Sequence, residues 1–130
     1  MSEENVEITR RVYRELAEGK FPGDLFDPGV VAQEPPEVPD AATYKGTEGV
    51  RALLGKLQES FKGMQFEPVD FSSSLDRVLV EVRWVGEGHE SGVPSEMHLF
   101  HVWQFRHGRA VRIEAIIDRD KALEAAGLSE

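Results

Sequence analysis

Residues 77–118 read RVLVEVRWVGEGHESGVPSEMHLFHVWQFRHGRAVRIEAIID, and apolar side chains alternate with polar ones along much of this stretch. A period of two is typical of β-strands that bury one face. The pattern predicts strands over 77–87, 96–106 and 110–118, with a tight turn at His107-Gly108 between the last two. A first strand over 64–71 precedes them. We therefore expect four antiparallel strands in a meander.

The chain before this stretch has a helical period instead. Apolar residues recur at three- and four-residue spacing between Ser2 and Gly19, and again over 47–61. A short strand over 30–34 and a proline-rich surface crossing over 35–44 separate these helices, and RDKALEAAGL at the end predicts a third. The order of elements favours an α+β fold in one domain over residues 1–130. We expect a cone-shaped, curved antiparallel sheet with three helices on its concave face enclosing a pocket.

Charge and composition limit the function. The chain of 130 residues has 24 acidic and 15 basic residues, a formal net charge of -9 that repels nucleic-acid backbones. The sequence contains no run of 18 uncharged apolar residues, which a membrane-spanning helix would need, and it contains no cysteine. We therefore expect a cytoplasmic protein that binds neither nucleic acid nor membrane.

The four histidines do not predict a metal site. His98 and His101 are an odd number of residues apart in one strand and face opposite sides of the sheet. His89 and His107 belong to loops, and Glu96 with His98 supplies two ligands at most. The sequence predicts no metal and no cofactor.

Four phrases of the sequence carry a resemblance to a known family: EGKFPGDLFDPGVVAQEPP (18–36), TYKGTEGV (43–50), HVWQFRHGRAVR (101–112) and DRDKALEAAGL (118–128). In this order and spacing they resemble the nuclear transport factor 2-like superfamily and, within it, the SnoaL-like proteins. The resemblance implies the fold and a pocket between the helices and the concave sheet. It does not imply one function, because isomerases, cyclases, dehydratases, epoxide hydrolases and binding modules share this scaffold.

Glu34 is the best candidate for a catalytic base. It ends a short strand and precedes Pro35 and Pro36, so its carboxylate is fixed beside a rigid turn. QEPP is similar to the place where the ketosteroid isomerases of the superfamily have a proton-shuttling carboxylate before a proline, with glutamate here in place of aspartate. The alternative is a strand-end acid that pairs with a nearby cation.

His101 and Tyr13 are the candidate hydrogen-bond donors. His101 shares the apolar register of its strand with Leu99 and Trp103, which predicts an inward side chain that is either a pocket donor or a satisfied core histidine. By resemblance, it lies where the steroid isomerases have a protonated aspartate that holds the enolate oxygen. Tyr13 lies mid-face on the first helix, and the steroid isomerases are similar in using a tyrosine of this helix, although its spacing to Gly19 is one residue shorter here. We expect Tyr13 to line the pocket, with a core position and a catalytic role as the alternatives.

The inward registers of the strands also predict the pocket walls. At the position of Ala115, SnoaL-like cyclases are similar in fold but carry their base aspartate, so the resemblance disfavours cyclisation here. It also disfavours limonene-type epoxide hydrolysis, because no inward register supplies the arginine of the Asp-Arg-Asp set. The predicted pocket-lining residues are Trp84, Trp103, Leu99, Ile113, Ala115 and Ile117.

Three outward residues predict a homodimer. Phe100, Val102 and Ile116 are apolar and lie on the sheet face that we expect the helices to leave bare. A second copy packed on the sheet would cover them, and members of the superfamily are similar in pairing this way.

Three functions remain open from the sequence. The first is an acid–base enzyme in which Glu34 moves a carbon-bound proton of a ketone-like or polycyclic apolar molecule, with His101 and Tyr13 as oxyanion donors. The second is a non-catalytic module that binds a small apolar molecule. The third is an interaction protein whose pocket is filled by Trp84 and Trp103.

Overall fold

The computed structural model describes residues 2–128, so Met1, Ser129 and Glu130 of the predicted domain lie outside the described residues. Three α-helices, one 3-10 turn and six strands follow one another within residues 2–128. They are α1 (Ser2–Ala17), a 3-10 turn (Gly23–Leu25), β1 (Phe26–Gln33), β2 (Thr43–Lys45), α2 (Gly46–Ser60), β3 (Phe61–Ser74), β4 (Arg77–Gly88), β5 (Pro94–Arg106), β6 (Arg109–Ile116) and α3 (Arg119–Ala125).

The strands form one sheet in the order β2-β1-β6-β5-β4-β3. The predicted meander of β3 to β6 is antiparallel throughout, and the turn at His107 and Gly108 has positive φ at both residues, as a tight hairpin requires. β6 then lies beside β1 and runs parallel to it, whereas β2 is antiparallel to β1. The α+β class and the curved sheet are confirmed, but the sheet is mixed and not purely antiparallel.

The bend of the sheet has a local cause in β3. Its pairing with β4 shifts register between Lys62 and Gln65 and again between Pro68 and Asp70. Each irregularity adds residues to one strand only, which bends that strand and increases its twist. Pro68 is tolerated because β3 is an edge strand, where one side of the backbone needs no ladder partner.

The first two helices pack on the inner face of the sheet. Val12 and Tyr13 of α1 and Val50 of α2 join the inward residues of the strands in the main apolar core. α1 ends before Gly19, which has a φ of +80° that favours glycine. The inner registers include Val78, Val80 and Val82 of β4, which are fully buried in the described structure.

The third helix lies on the other face, which corrects the expectation that all three helices share one face. Ala122 and Ala126 form a second apolar core with Leu79, Phe100 and Val102, whose side chains point away from the inner registers. The Asp118 carboxylate caps α3 by accepting from the backbone N–H of Lys121 at 3.3 Å, and Arg77 Nη1 donates to the carbonyl of Ala125 at 2.7 Å. The chain therefore covers part of its own outer face.

That cover changes the argument for a dimer. Phe100 and Val102 are buried, and Ile116 packs against the same cluster, so the expectation that the three are bare within one chain is wrong. The sequence analysis had assigned this helix to the concave face. The burial of these residues no longer argues for a second copy, and the homodimer through the sheet stays a prediction.

Several boundaries differ from the predicted ones. β1 begins at Phe26 and not at residue 30, and the crossing over 35–44 contains the start of β2. α2 ends at Ser60, so Phe61 opens β3, where its ring meets Trp84 edge-to-face at a centroid distance of 4.8 Å. Across residues 2–128, the helices are too short or too polar to cross a membrane.

Candidate functional site

A cavity of about 410 Å³ lies between the inner face of the sheet and the helices α1 and α2. This volume is within the range of small-molecule sites, roughly 300–1,000 Å³. Nine of its lining residues are those that the sequence analysis selected. They are Tyr13, Glu34, Trp84, Leu99, His101, Trp103, Ile113, Ala115 and Ile117.

The other lining residues come from parts of the chain that the sequence analysis assigned to the core or to a surface crossing. α2 contributes an apolar wall, and Glu37, Val38 and Pro39 of the crossing line the cavity as well. The α2 residues are Val50, Leu53, Leu54 and Leu57. Trp84 and Trp103 form part of the wall and leave the cavity open, so the alternative in which they fill the pocket is wrong.

Tyr13, His101 and Trp103 form a hydrogen-bonded chain at one part of this wall. The Tyr13 hydroxyl lies 2.6 Å from Nδ1 of His101, and the Trp103 indole N–H donates to the same hydroxyl at 3.0 Å. The phenol and imidazole rings are stacked with an interplanar angle of 9°. His101 and Trp103 are two residues apart on β5, so their side chains face the same side of the sheet, where Tyr13 of α1 packs against them.

Burial keeps the side chains of His101 and Tyr13 neutral. It lowers the pKa of His101 to about 4, and it raises the pKa of the Tyr13 hydroxyl above its usual value of 10, against a smaller opposing effect of the Trp103 hydrogen bond. At pH 7 the imidazole is therefore uncharged and the phenol keeps its proton. His101 is 9% exposed and Tyr13 is 3% exposed.

A count of protons shows which hydrogen-bond donor Tyr13, His101 and Trp103 can offer a ligand. The Tyr13 oxygen accepts from Trp103, and one proton lies between Tyr13 and His101. If Tyr13 donates that proton, Nε2 of the neutral imidazole carries an N–H; if His101 donates it, the Tyr13 O–H is released. In either case one donor remains. His101 Nε2 bonds to no described residue. Because no fully buried side-chain polar atom among residues 2–128 lacks a partner, Nε2 keeps some accessible surface.

Glu34 is buried, at 7% exposure, one residue beyond the end of β1. Its Oε1 accepts from the backbone N–H of Ala42 at 3.1 Å and from the Tyr44 hydroxyl at 3.3 Å. The ammonium of Lys56 lies 3.2 Å from the same oxygen. Among the described residues all three donors go to Oε1. Oε2 has no partner among them and therefore keeps accessible surface, since no fully buried polar side-chain atom of these residues is left without one. Oε2 is therefore the oxygen that a bound molecule can reach.

Lys56 and Tyr44 are partners that the sequence analysis did not find. The Lys56 ammonium also donates to the Tyr44 hydroxyl at 2.9 Å, and these hydrogen bonds, first to Tyr44 and then to Glu34, raise its pKa. Its side chain is 44% exposed. Nothing in the sequence distinguishes it from any other solvated lysine on a helix. The alternative reading of Glu34 as an acid that pairs with a cation describes this contact.

The sheet register relates Glu34 to His101. Ala115 of β6 lies directly opposite His101 of β5, and the parallel ladder pairs Gln33 with Glu114, so one further step brings Glu34 level with Ala115. The two candidate residues flank the smallest side chain of that row. Two strand spacings separate their backbones by about 10 Å. Glu34 and His101 therefore line the cavity on either side of Ala115.

The candidate metal ligands on the outer face, Glu96 and His98, contact each other, and Glu96 also pairs with Arg83. Nε2 of His98 lies 3.4 Å from Oε2 of Glu96, which Arg83 also contacts at 2.8 Å. Within the described part of the chain, no group of three or more His, Asp or Glu side chains is arranged to hold a metal ion.

Comparisons with known proteins identify relatives of the chain. A model of the SnoaL-like domain matches residues 9–113. Bal32a, from a soil-derived mobile gene cassette, is similar in structure, with a TM-score of 0.82 and 24% identity over 96% of this chain and 97% of that one. An NTF2-like protein of unknown function from Burkholderia pseudomallei K96243 has a TM-score of 0.79 and 24% identity over 97% of this chain and 98% of its own.

A third similar structure is that of TerC co-crystallised with polyporic acid. Its TM-score is 0.77, with 22% identity over 95% of this chain and 97% of TerC. No curated protein matches the sequence. Likeness at these identities establishes the fold, and the chemistry has to be argued from the cavity itself.

Proposed function

The chain belongs to the family of SnoaL-like domains, and from that premise and the geometry of the cavity we propose that it is an acid–base enzyme acting on a small, largely apolar, ketone-like molecule. One observation supports this proposal most. A carboxylate with one available oxygen and a neutral donor line the same apolar cavity, on either side of Ala115. This arrangement suits the transfer of a carbon-bound proton next to a carbonyl.

Each group has one role in the proposed reaction. Oε2 of Glu34 takes the proton from the carbon next to the carbonyl, and the donor that remains on the Tyr13–His101 pair stabilises the enolate oxygen. The three donors on Oε1 fix the carboxylate and leave Oε2 to accept the proton. The Trp103 N–H polarises the Tyr13 hydroxyl and strengthens the donor at the far end.

The experiment measures deuterium uptake from D₂O by two enolisable ketones of suitable size, 2-acetylnaphthalene and 2-tetralone. We expect the wild-type protein to accelerate exchange and Glu34→Gln to abolish the acceleration, because an amide cannot accept the proton. Glu37→Gln is the matched control, since Glu37 lines the cavity and has no role in the reaction. Wild-type exchange no faster than that of Glu34→Gln would overturn the proposal.

The ion pair of Glu34 with Lys56 favours a second candidate, a non-catalytic module that binds an apolar molecule. In that function the carboxylate only supports the wall. The affinity for 2-acetylnaphthalene would then change by less than tenfold in Glu34→Gln, equivalent to about 1.4 kcal/mol, and neither protein would accelerate exchange.

A further inference from the structure

The charges around the cavity are distributed unevenly. Among the described residues, the 24 that line it include two carboxylates, Glu34 and Glu37, and no lysine or arginine. The remaining ionisable side chains of the lining, Tyr13 and His101, are neutral at pH 7 because both are buried. The lining therefore offers no positive charge to a ligand.

Two cations that hydrogen-bond to lining residues, Lys56 and Arg112, already have partners. The Lys56 ammonium contacts Glu34 at 3.2 Å and Tyr44 at 2.9 Å, and it reaches the carboxylate without being part of the lining. Arg112 Nη2 donates to the side chain of Gln33 at 2.9 Å. Neither cation is part of the lining, so an anionic ligand in the cavity gains no charged partner there, and a buried charge without a partner is strongly disfavoured.

The two carboxylates do not make the cavity a site for cations either. Glu34 is compensated by Lys56, and Glu37 is exposed, so water and salt screen its charge. The rest of the wall is apolar and aromatic apart from Gln33 and the Tyr13–His101–Trp103 chain. An ammonium group would lose its hydration, and the charge of the one buried carboxylate in the lining, Glu34, is already compensated by Lys56.

We propose that the cavity selects an uncharged ligand with one acceptor oxygen and discriminates against carboxylates, phosphates and amines of the same shape. This inference rests on the proposed function and names its substrate class. The acceptor oxygen satisfies the one donor that remains on Tyr13 and His101, and the lining supplies neither a cation for an anion nor an uncompensated buried carboxylate for an ammonium. Ligands with a charged substituent that would enter the cavity are disfavoured for the same reason.

The experiment compares three probes built on the same bicyclic ring: 2-acetylnaphthalene, 2-naphthoate and 1-(2-naphthyl)ethylamine. Calorimetric titration at pH 7 gives the dissociation constant of each for the wild-type protein. We expect the ketone to bind at least tenfold more tightly than the carboxylate and than the ammonium. A smaller ratio for either ion, or no binding of the ketone, would overturn the inference.

A pair of charge-reversal variants tests the cause. Glu37→Lys places a cation at the lining, and we expect it to raise the affinity for 2-naphthoate relative to the ketone at least threefold. Glu59→Lys makes the same change of net charge on an exposed residue of α2 that does not line the cavity, and it should leave that ratio as it is in the wild type. Equal ratios in the two variants would show that overall charge, and not the lining, sets the preference.

The two proposals fail separately. Selective binding of the ketone without deuterium exchange would reject the enzyme and leave the ligand class standing. Exchange that depends on Glu34, together with equally tight binding of 2-naphthoate, would reject the ligand class and leave the enzyme standing.

Discussion

The buried imidazole of His101 makes the stability of the fold sensitive to pH. Burial lowers its pKa from 6.5 to about 4, so the folded state keeps the ring neutral where the unfolded chain already binds a proton. The stabilisation is fully present above pH 6.5 and is lost progressively as the pH falls toward 4. Linkage gives a loss of about 2 kcal/mol at pH 5 and about 3 kcal/mol at pH 4 from this residue alone.

The measurement is the free energy of unfolding in urea, at pH values from 7.5 to 4, for the wild type and His101→Gln. Glutamine is neutral throughout this range, and every other ionisable group is the same in both proteins. The difference between the two free energies therefore isolates His101. We expect it to shift by about 2 kcal/mol between pH 7.5 and pH 5, to the disadvantage of the wild type. Two curves that fall in parallel would refute the reasoning.

Three further substitutions test the cavity wall and the outer core. Tyr13→Phe should lower the free energy of unfolding by about 2 kcal/mol, because it leaves the buried N–H of Trp103 without its acceptor; a loss below about 0.5 kcal/mol in urea denaturation would contradict this. Ala115→Leu should weaken binding of 2-acetylnaphthalene at least tenfold in calorimetry, whereas Ala52→Leu on the exposed face of α2 should not. Ala122→Asp should destabilise the protein by roughly 3 kcal/mol by placing a carboxylate in the outer core, and thermal unfolding at wild-type stability would be the contrary result.

The sequence predicted the part of the fold that follows from periodicity. The alternation over 77–118 defined three strands to within a few residues, and the His107-Gly108 turn followed from its residue types. The partner of β1 could not be predicted, because pairing between strands about 80 residues apart leaves no local pattern. The face covered by α3 was missed for a related reason: its short apolar stripe fits either side of the sheet.

The same distinction applies to the site. Inward registers place His101, Trp103 and Ala115 in the cavity wall, because side-chain direction in a strand follows from position alone. The hydrogen bond between Tyr13 and His101 joins residues 88 apart, and the pairing of Glu34 with Lys56 depends on how α2 packs. Such contacts are set by tertiary structure. A spacing rule within one element cannot give them.

The proposed function requires a neutral ketone to lie over Ala115, between the two polar groups of the cavity. The most direct measurement is a crystal structure of the complex with 2-acetylnaphthalene. We predict the ketone oxygen within about 3.2 Å of His101 Nε2 or the Tyr13 hydroxyl, and the methyl carbon facing Oε2 of Glu34. A ketone oxygen directed toward Glu37 at the exposed turn, with no polar contact to His101 or Tyr13, would contradict the claim.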